Sequence, residues 1–152
     1  MPRQDELEPL VRRITDVLVR YATAIDTKHW ALLETCFTTE CRFTGRGGDL
    51  QLHGSQAVVD FMRAAHASID GSLHRLTNIT VDARPGDRNA AATSYLDALI
   101  VERAHPGGPT FQLAATYRDR LVFGDSRWRI AHREVTALWS AGNAAILEPT
   151  VT

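Results

Sequence analysis

Residues 89–103 read NAAATSYLDALIVER. Apolar side chains recur there with period two, the mark of a strand with one face toward a core. From residue 71 to about 139 the chain follows this grammar. Strands are predicted at about 73–83, 89–103, 110–123 and 127–139. The breaks between them are built from turn formers: Pro85-Gly86-Asp87, Pro106-Gly107-Gly108-Pro109 and Gly124-Asp125-Ser126. Such short turns make successive strands antiparallel neighbours.

Upstream the period changes. Leu7, Leu10, Val11, Ile14, Leu18, Tyr21 and Ile25 recur at three- and four-residue spacing, which predicts a helix over about 5–25. They fill an arc of roughly 100–120° on a helical wheel, with Arg12, Arg13, Asp16, Arg20 and Thr23 opposite. Asp26-Thr27-Lys28 breaks the pattern. A short second helix is expected at about 28–36, with Trp30, Leu33 and Phe37 inward and Asp26 or Thr27 as its N-cap. Residues 41–53 read as two short strands around a glycine-rich turn, and 55–67 as a third helix opened by Ser55 and carrying Val58, Val59, Phe61 and Met62. Helices first and hairpins after is an α+β arrangement. Three front helices can cover one face of the sheet, and a sheet that curls leaves a cavity beneath them. The segment 140–152 is expected to be an irregular tail, with Ile146, Leu147 and Val151 to dock it.

Composition narrows the function class. The 152 residues fit one domain, with 44% hydrophobic and 23% charged side chains. Seventeen basic and eighteen acidic residues give a net charge of −1, which argues against a nucleic-acid partner. Arg127, Arg129, Arg133 and His132 are the nearest approach to a basic cluster, and they read as a solvated strand face. No apolar run approaches the ~20 residues that span a bilayer, and the N-terminus lacks a secretory layout. The expectation is a cytoplasmic protein without a membrane partner. Cys36 and Cys41 fit no zinc or redox spacing and read as reduced, partly buried thiols. No metal-binding histidine pattern, phosphate loop or serine elbow is present, so no metal and no cofactor is expected.

Two residues stand out as chemistry. Asp26 follows the apolar face of the first helix, where partial desolvation would make it a better base; helix capping is the competing role. His74 lies in Ser72-Leu73-His74-Arg75-Leu76-Thr77-Asn78. Alternation puts His74, Leu76, Asn78 and Thr80 on one face and Leu73, Arg75, Thr77, Ile79 and Val81 on the other. Both faces are mixed, so alternation leaves open which looks inward. Tyr21 sits within the apolar arc, where a core aromatic is the plain reading.

The run Ile14, Tyr21, Ala22, Ala24, Ile25, Asp26, Trp30, Leu33, Phe37, with its spacing, resembles the opening of the SnoaL-like group of the NTF2-like superfamily. So do His74 with Asn78 and Ile79, then Ala91, Ser94 and Tyr95, then Tyr117 and Asp119, then Trp128, Arg129, Ile130 and Arg133. The resemblance covers about residues 8–138. It implies a cone: three N-terminal helices on a strongly curved, mostly antiparallel sheet enclosing an apolar pocket. The nearest functional echo is the branch of scytalone dehydratase, bile acid 7α-dehydratase and hexachlorocyclohexane dehydrochlorinase. That branch pairs an aspartate at the end of the first helix with a strand histidine, and Asp26 and His74 match. Tyr21 matches a tyrosine five residues before the aspartate. Arg133 is the nearest match to an arginine on the last strand.

The resemblance implies a cofactor-independent lyase or isomerase acting on a small-to-medium apolar or aromatic molecule. His74 would be the general base, Asp26 its partner, Tyr21 the proton donor and Arg133 a polar anchor. A homo-oligomer, trimer or dimer, is expected. Other classes stay open on the same fold: a non-catalytic binding module, an assembly subunit like the small subunit of ring dioxygenases, a polyketide cyclase or an epoxide hydrolase.

Overall fold

The computed structural model describes residues 3–148. Helix α1 (Gln4–Asp26) forms where the spacing predicts it, one residue longer at each end. Ile14, Leu18, Tyr21 and Ile25 are buried along its inner stripe, each worth about 1.5–3 kcal/mol when fully removed from water. The helix stops at Thr27, whose hydroxyl donates back to the Thr23 carbonyl, and Lys28 turns the chain at φ +53°.

Helix α2 (Trp30–Thr35) is shorter than the predicted 28–36. Neither Asp26 nor Thr27 caps it: the N-cap is His29, without a side-chain bond. Phe37 opens strand β1 (Phe37–Gly45), which starts four residues before the predicted 41. A 3-10 turn (Arg46–Gly48) leads to β2 (Leu50–His53). Helix α3 (Ser55–Ala65) is capped by Gly54, not Ser55, which is its first residue and makes no cap bond.

Strands β3 (Gly71–Asp82), β4 (Asn89–Val101), β5 (Thr110–Gly124) and β6 (Arg127–Gly142) follow the four predicted stretches. They join β1 and β2 in an open six-stranded sheet of order β2-β1-β6-β5-β4-β3. The pairs β3–β4, β4–β5 and β5–β6 are antiparallel, as the short turns require. Strand β1 lies parallel to β6, with Phe43 opposite Arg133, so the sheet is mixed. The helices cover its inner face, and most of the apolar core, from Ile14 to Ile130, lies between the two layers.

Register shifts in β3 and β6 set the phase of their side chains. In β3 the register shifts between Thr77 and Thr80, with Asn78 at φ +50°. In β6 one extra residue is inserted at Ala131 and another at Leu138. A bulge bends its strand and reverses which side chains face inward. The bulge in β3 explains its two mixed faces. Ser72, His74 and Leu76 face inward before it, and Ile79 and Val81 after it.

The segment expected to be an irregular tail is ordered as far as it is described. Strand β6 runs to Gly142, and a 3-10 turn (Ala144–Leu147) follows. Ile146 packs with Ile69, Ile100 and Phe111 in a second small core. Val151 lies outside the described residues. Gly142 adopts φ +86°, and a Cβ there would collide with the Thr110 carbonyl oxygen. The substitution Gly142→Ala is expected to cost about 1–3 kcal/mol. Chemical unfolding measures it, and an unchanged midpoint would contradict this geometry.

Candidate active site

Asp26 ends α1, and α1 packs across β3 so that its carboxylate meets the start of that strand. Both carboxylate oxygens are engaged. The Ser72 hydroxyl donates to Oδ1 at 2.8 Å, and the backbone N–H of His74 donates to Oδ2 at 2.8 Å. The His74 ring places Nδ1 2.6 Å from Oδ1. A carboxylate only accepts, so Nδ1 is assigned the hydrogen and Nε2 is left bare. The two side chains are 8% and 17% exposed, His74 the more buried.

Partial burial by itself pushes the Asp26 carboxyl up. The hydrogen bonds from the His74 ring and amide, with Ser72, outweigh it and hold the group below its ordinary value. A carboxyl depressed in the folded state stabilises the fold above its unfolded pKa of about 4 and loses that contribution as pH falls through the folded value. The variant Asp26→Asn lacks this dependence. Between about pH 5 and pH 3, the urea midpoint of the parent protein is expected to fall further than that of Asp26→Asn. Equal falls would contradict the assignment.

Tyr21 lies one turn before Ile25 on the same stripe and is 2% exposed. Its ring meets those of Phe37 and Tyr117 edge-on, at 5.8 and 5.9 Å. Burial pushes its hydroxyl pKa up, against the pull of Arg133, and burial pushes Tyr117 well above the ordinary value. Both phenols therefore stay protonated near neutral pH and can donate.

Arg133 departs from expectation. It is fully buried, not part of a solvated strand face. Strict alternation from Trp128 and Ile130 would carry His132 inward, and the extra residue at Ala131 brings Arg133 in instead. Its Nε and Nη2 donate to the two Asp119 oxygens at 2.7 and 2.8 Å. The guanidinium carbon lies 4.1 Å from the Tyr21 ring centroid and 4.0 Å from that of Tyr117. Burial opposes its charge, and the Asp119 carboxylate outweighs burial and raises its pKa. Arg133 does not line the cavity. Its guanidinium lies instead against the ring faces of Tyr21 and Tyr117, which do line it.

The cavity between sheet and helices measures about 420 Å³, within the range of small-molecule sites. Its wall is mostly apolar, with Ile25, Phe43, Leu96 and Phe111 among its lining. Tyr21, Tyr117, His66 and His74 bring polar groups to it. Cys36 and Cys41 are free and buried, and burial pushes each thiol up to about 11. Among the described residues no cluster of three or more His, Cys, Asp or Glu is arranged to hold a metal, and no helix is long and apolar enough to cross a membrane.

Tyr117, Asp119 and His66 are not among the site residues expected from the sequence. Tyr117 and Asp119 alternate on β5 with Ala115 and Leu121, all buried. A carboxylate in phase with core positions was the available signal. His66 carried none, because it follows the last residue of α3 and lacks a periodic partner.

A model of the SnoaL-like domain matches residues 9–134. The chain belongs to the SnoaL-like family. No curated protein matches the sequence. Among solved structures, the SnoaL-like chain is similar to a scytalone dehydratase-like protein from Novosphingobium aromaticivorans. The TM-score is 0.84 at 20% identity, covering 93% of this chain and 92% of that one. A hexachlorocyclohexane dehydrochlorinase from Novosphingobium barchaimii gives 0.76 at 14% identity, covering 93% and 95%. A protein of unknown function from Mycobacterium tuberculosis gives 0.76 at 22% identity, covering 97% and 80%. At these identities the likeness is one of fold: the NTF2-like α+β architecture of three helices on an open, mixed sheet.

Proposed function

We propose that this SnoaL-like protein is a cofactor-independent lyase or isomerase acting on a small-to-medium apolar or aromatic molecule. The observation that carries the reading is the 2.6 Å pairing of His74 Nδ1 with Asp26 Oδ1, with His74 on the wall of an apolar cavity. His74 Nε2 takes a proton from carbon. The C–H electron pair forms the new double bond, and the leaving group departs with its own pair. Asp26 stabilises the imidazolium. Tyr21 donates to a leaving oxygen, which departs as water, or polarises an enolate. The named activities of the two neighbours, dehydration and dehydrochlorination, are both eliminations, which supports the same class here.

For assembly, the reading stays with a homo-oligomer. Leu73 and Leu99 pair on the outer sheet face at 48% and 37% exposure, and Tyr95 adds 50%. Apolar groups clustered on an exposed face favour a protein contact.

The test is a panel of β-hydroxy ketones, chlorinated cyclohexanes and α,β-unsaturated ketones, incubated with the protein without added cofactor. Elimination or double-bond migration is expected in at least one class. Tight binding without turnover across the panel would favour the non-catalytic binding module.

A further inference from the structure

His66 follows α3 and uses only one of its ring nitrogens. Nδ1 lies 2.8 Å from the Met62 carbonyl oxygen. A carbonyl only accepts, so Nδ1 is assigned the hydrogen and Nε2 is a bare acceptor. The residue is 4% exposed, and Nε2 is buried without a hydrogen-bond partner among the described residues. The ring lines the cavity, and its centroid is 6.3 Å from that of His74. The Trp30 ring meets it edge-on at 6.3 Å. Burial pushes the His66 pKa down; the Met62 carbonyl and Asp26 oppose this, and His74 and Lys28 reinforce it. The ring is therefore neutral near neutral pH.

The two imidazoles in the cavity lining thus share one build. Each ties Nδ1–H back to a protein oxygen and leaves Nε2 bare. They differ in what stands behind them. The Asp26 carboxylate can stabilise an imidazolium at His74, whereas the Met62 carbonyl carries no charge to do so at His66. His66 is suited to accept a hydrogen bond and not to remove a proton. A buried acceptor without a donor has lost its water and gained nothing in return, and a ligand hydroxyl would complete it.

We propose that His66 Nε2 accepts a hydrogen bond from a hydroxyl of the bound molecule, so that the cavity selects hydroxyl-bearing aromatic or alicyclic compounds over equally apolar ones lacking the donor. Calling that molecule a substrate rests on the elimination reading above; the binding preference itself does not.

The experiment uses two probes of nearly equal shape, 1-naphthol and 1-fluoronaphthalene, titrated calorimetrically into the parent protein, His66→Phe and His74→Phe. The parent protein is expected to prefer 1-naphthol by about tenfold or more. His66→Phe should bind the two alike, and His74→Phe should keep the preference. A preference that survives His66→Phe and disappears in His74→Phe would overturn the inference and leave the Asp26–His74 reading intact. A parent protein that fails to bind 1-naphthol, or to prefer it, would also overturn it. A persisting preference with no turnover on any substrate class would sink the elimination reading alone. A second readout needs no variant: in nitrogen-15 spectra the unprotonated Nε2 signal of His66 should move on adding 1-naphthol. A signal that stays in place while 1-naphthol binds would overturn the inference.

Discussion

Replacing Asp119 with alanine is expected to remove about 3–5 kcal/mol of folding stability. Asp119 and Arg133 are both wholly buried, and the carboxylate receives two of the guanidinium hydrogen bonds. Arg133 Nη1 has no partner among the described residues, so the pair is already incompletely satisfied. Without Asp119 the cation would stay charged in the core, held only by the faces of Tyr21 and Tyr117. Those two stacks, each worth about 2 kcal/mol or more when desolvated, are already present in the parent protein and cannot replace the lost carboxylate. The double change Asp119→Leu with Arg133→Met should recover most of the loss, because it removes the charge instead of stranding it. Urea unfolding of the two variants and the parent measures both effects. A loss under about 1 kcal/mol for Asp119→Ala, or a double variant no better than the single one, would contradict this account.

The second large effect concerns the dyad. Both His74→Ala and Asp26→Asn are expected to lower turnover about 10²–10⁴-fold, the usual contribution of a positioned general base. The alanine change removes the base. The asparagine change acts through the tautomer. Oδ2 of Asp26 accepts the backbone N–H of His74, while Oδ1 faces both Ser72 and the ring. An asparagine carbonyl can serve only one of these positions. If it keeps the backbone bond, its NH₂ confronts Nδ1 and drives the hydrogen to Nε2, the atom needed as base. If it keeps the ring bond, its NH₂ confronts the backbone N–H. Both arrangements lose an interaction the carboxylate makes. Steady-state rates on a substrate found in the panel measure the loss, and full turnover in both variants would refute the dyad.

Much of this architecture was legible in the chain. The stripe from Leu7 to Ile25 is a period a helix enforces, and α1 ends within one residue of the predicted 5–25 on each side. The turns at residues 85–87, 106–109 and 124–126 carry their own backbone chemistry, and the antiparallel order β3-β4-β5-β6 follows from them. The parallel contact of β1 with β6 was not legible, since it joins segments far apart in sequence that share no turn.

The site was legible in part, for a specific reason. Period-two reading assumes an unbroken pleat, and bulges break it beside both groups that matter. The bulge at Asn78 left the inward face of β3 undecided, and the one at Ala131 turned Arg133 inward. The capping role offered to Asp26 failed because its carboxylate, at the end of α1, meets β3 and not the free amides of α2. Only the family resemblance brought Asp26 and His74 together across 48 residues of chain, and the structure sets them in contact.

Proton transfer at His74 is the centre of the proposal, and solvent deuterium measures it most directly. The parent protein, incubated in deuterium oxide with a ketone of the panel that it turns over, should exchange hydrogen at the carbon beside the carbonyl, where removal of the proton by His74 leaves an enolate that solvent deuterium can re-protonate. Mass spectrometry of recovered substrate and product follows that exchange. The account predicts exchange in the parent protein that is abolished in His74→Ala and strongly slowed in Asp26→Asn. Exchange at the parental rate in both variants would contradict it.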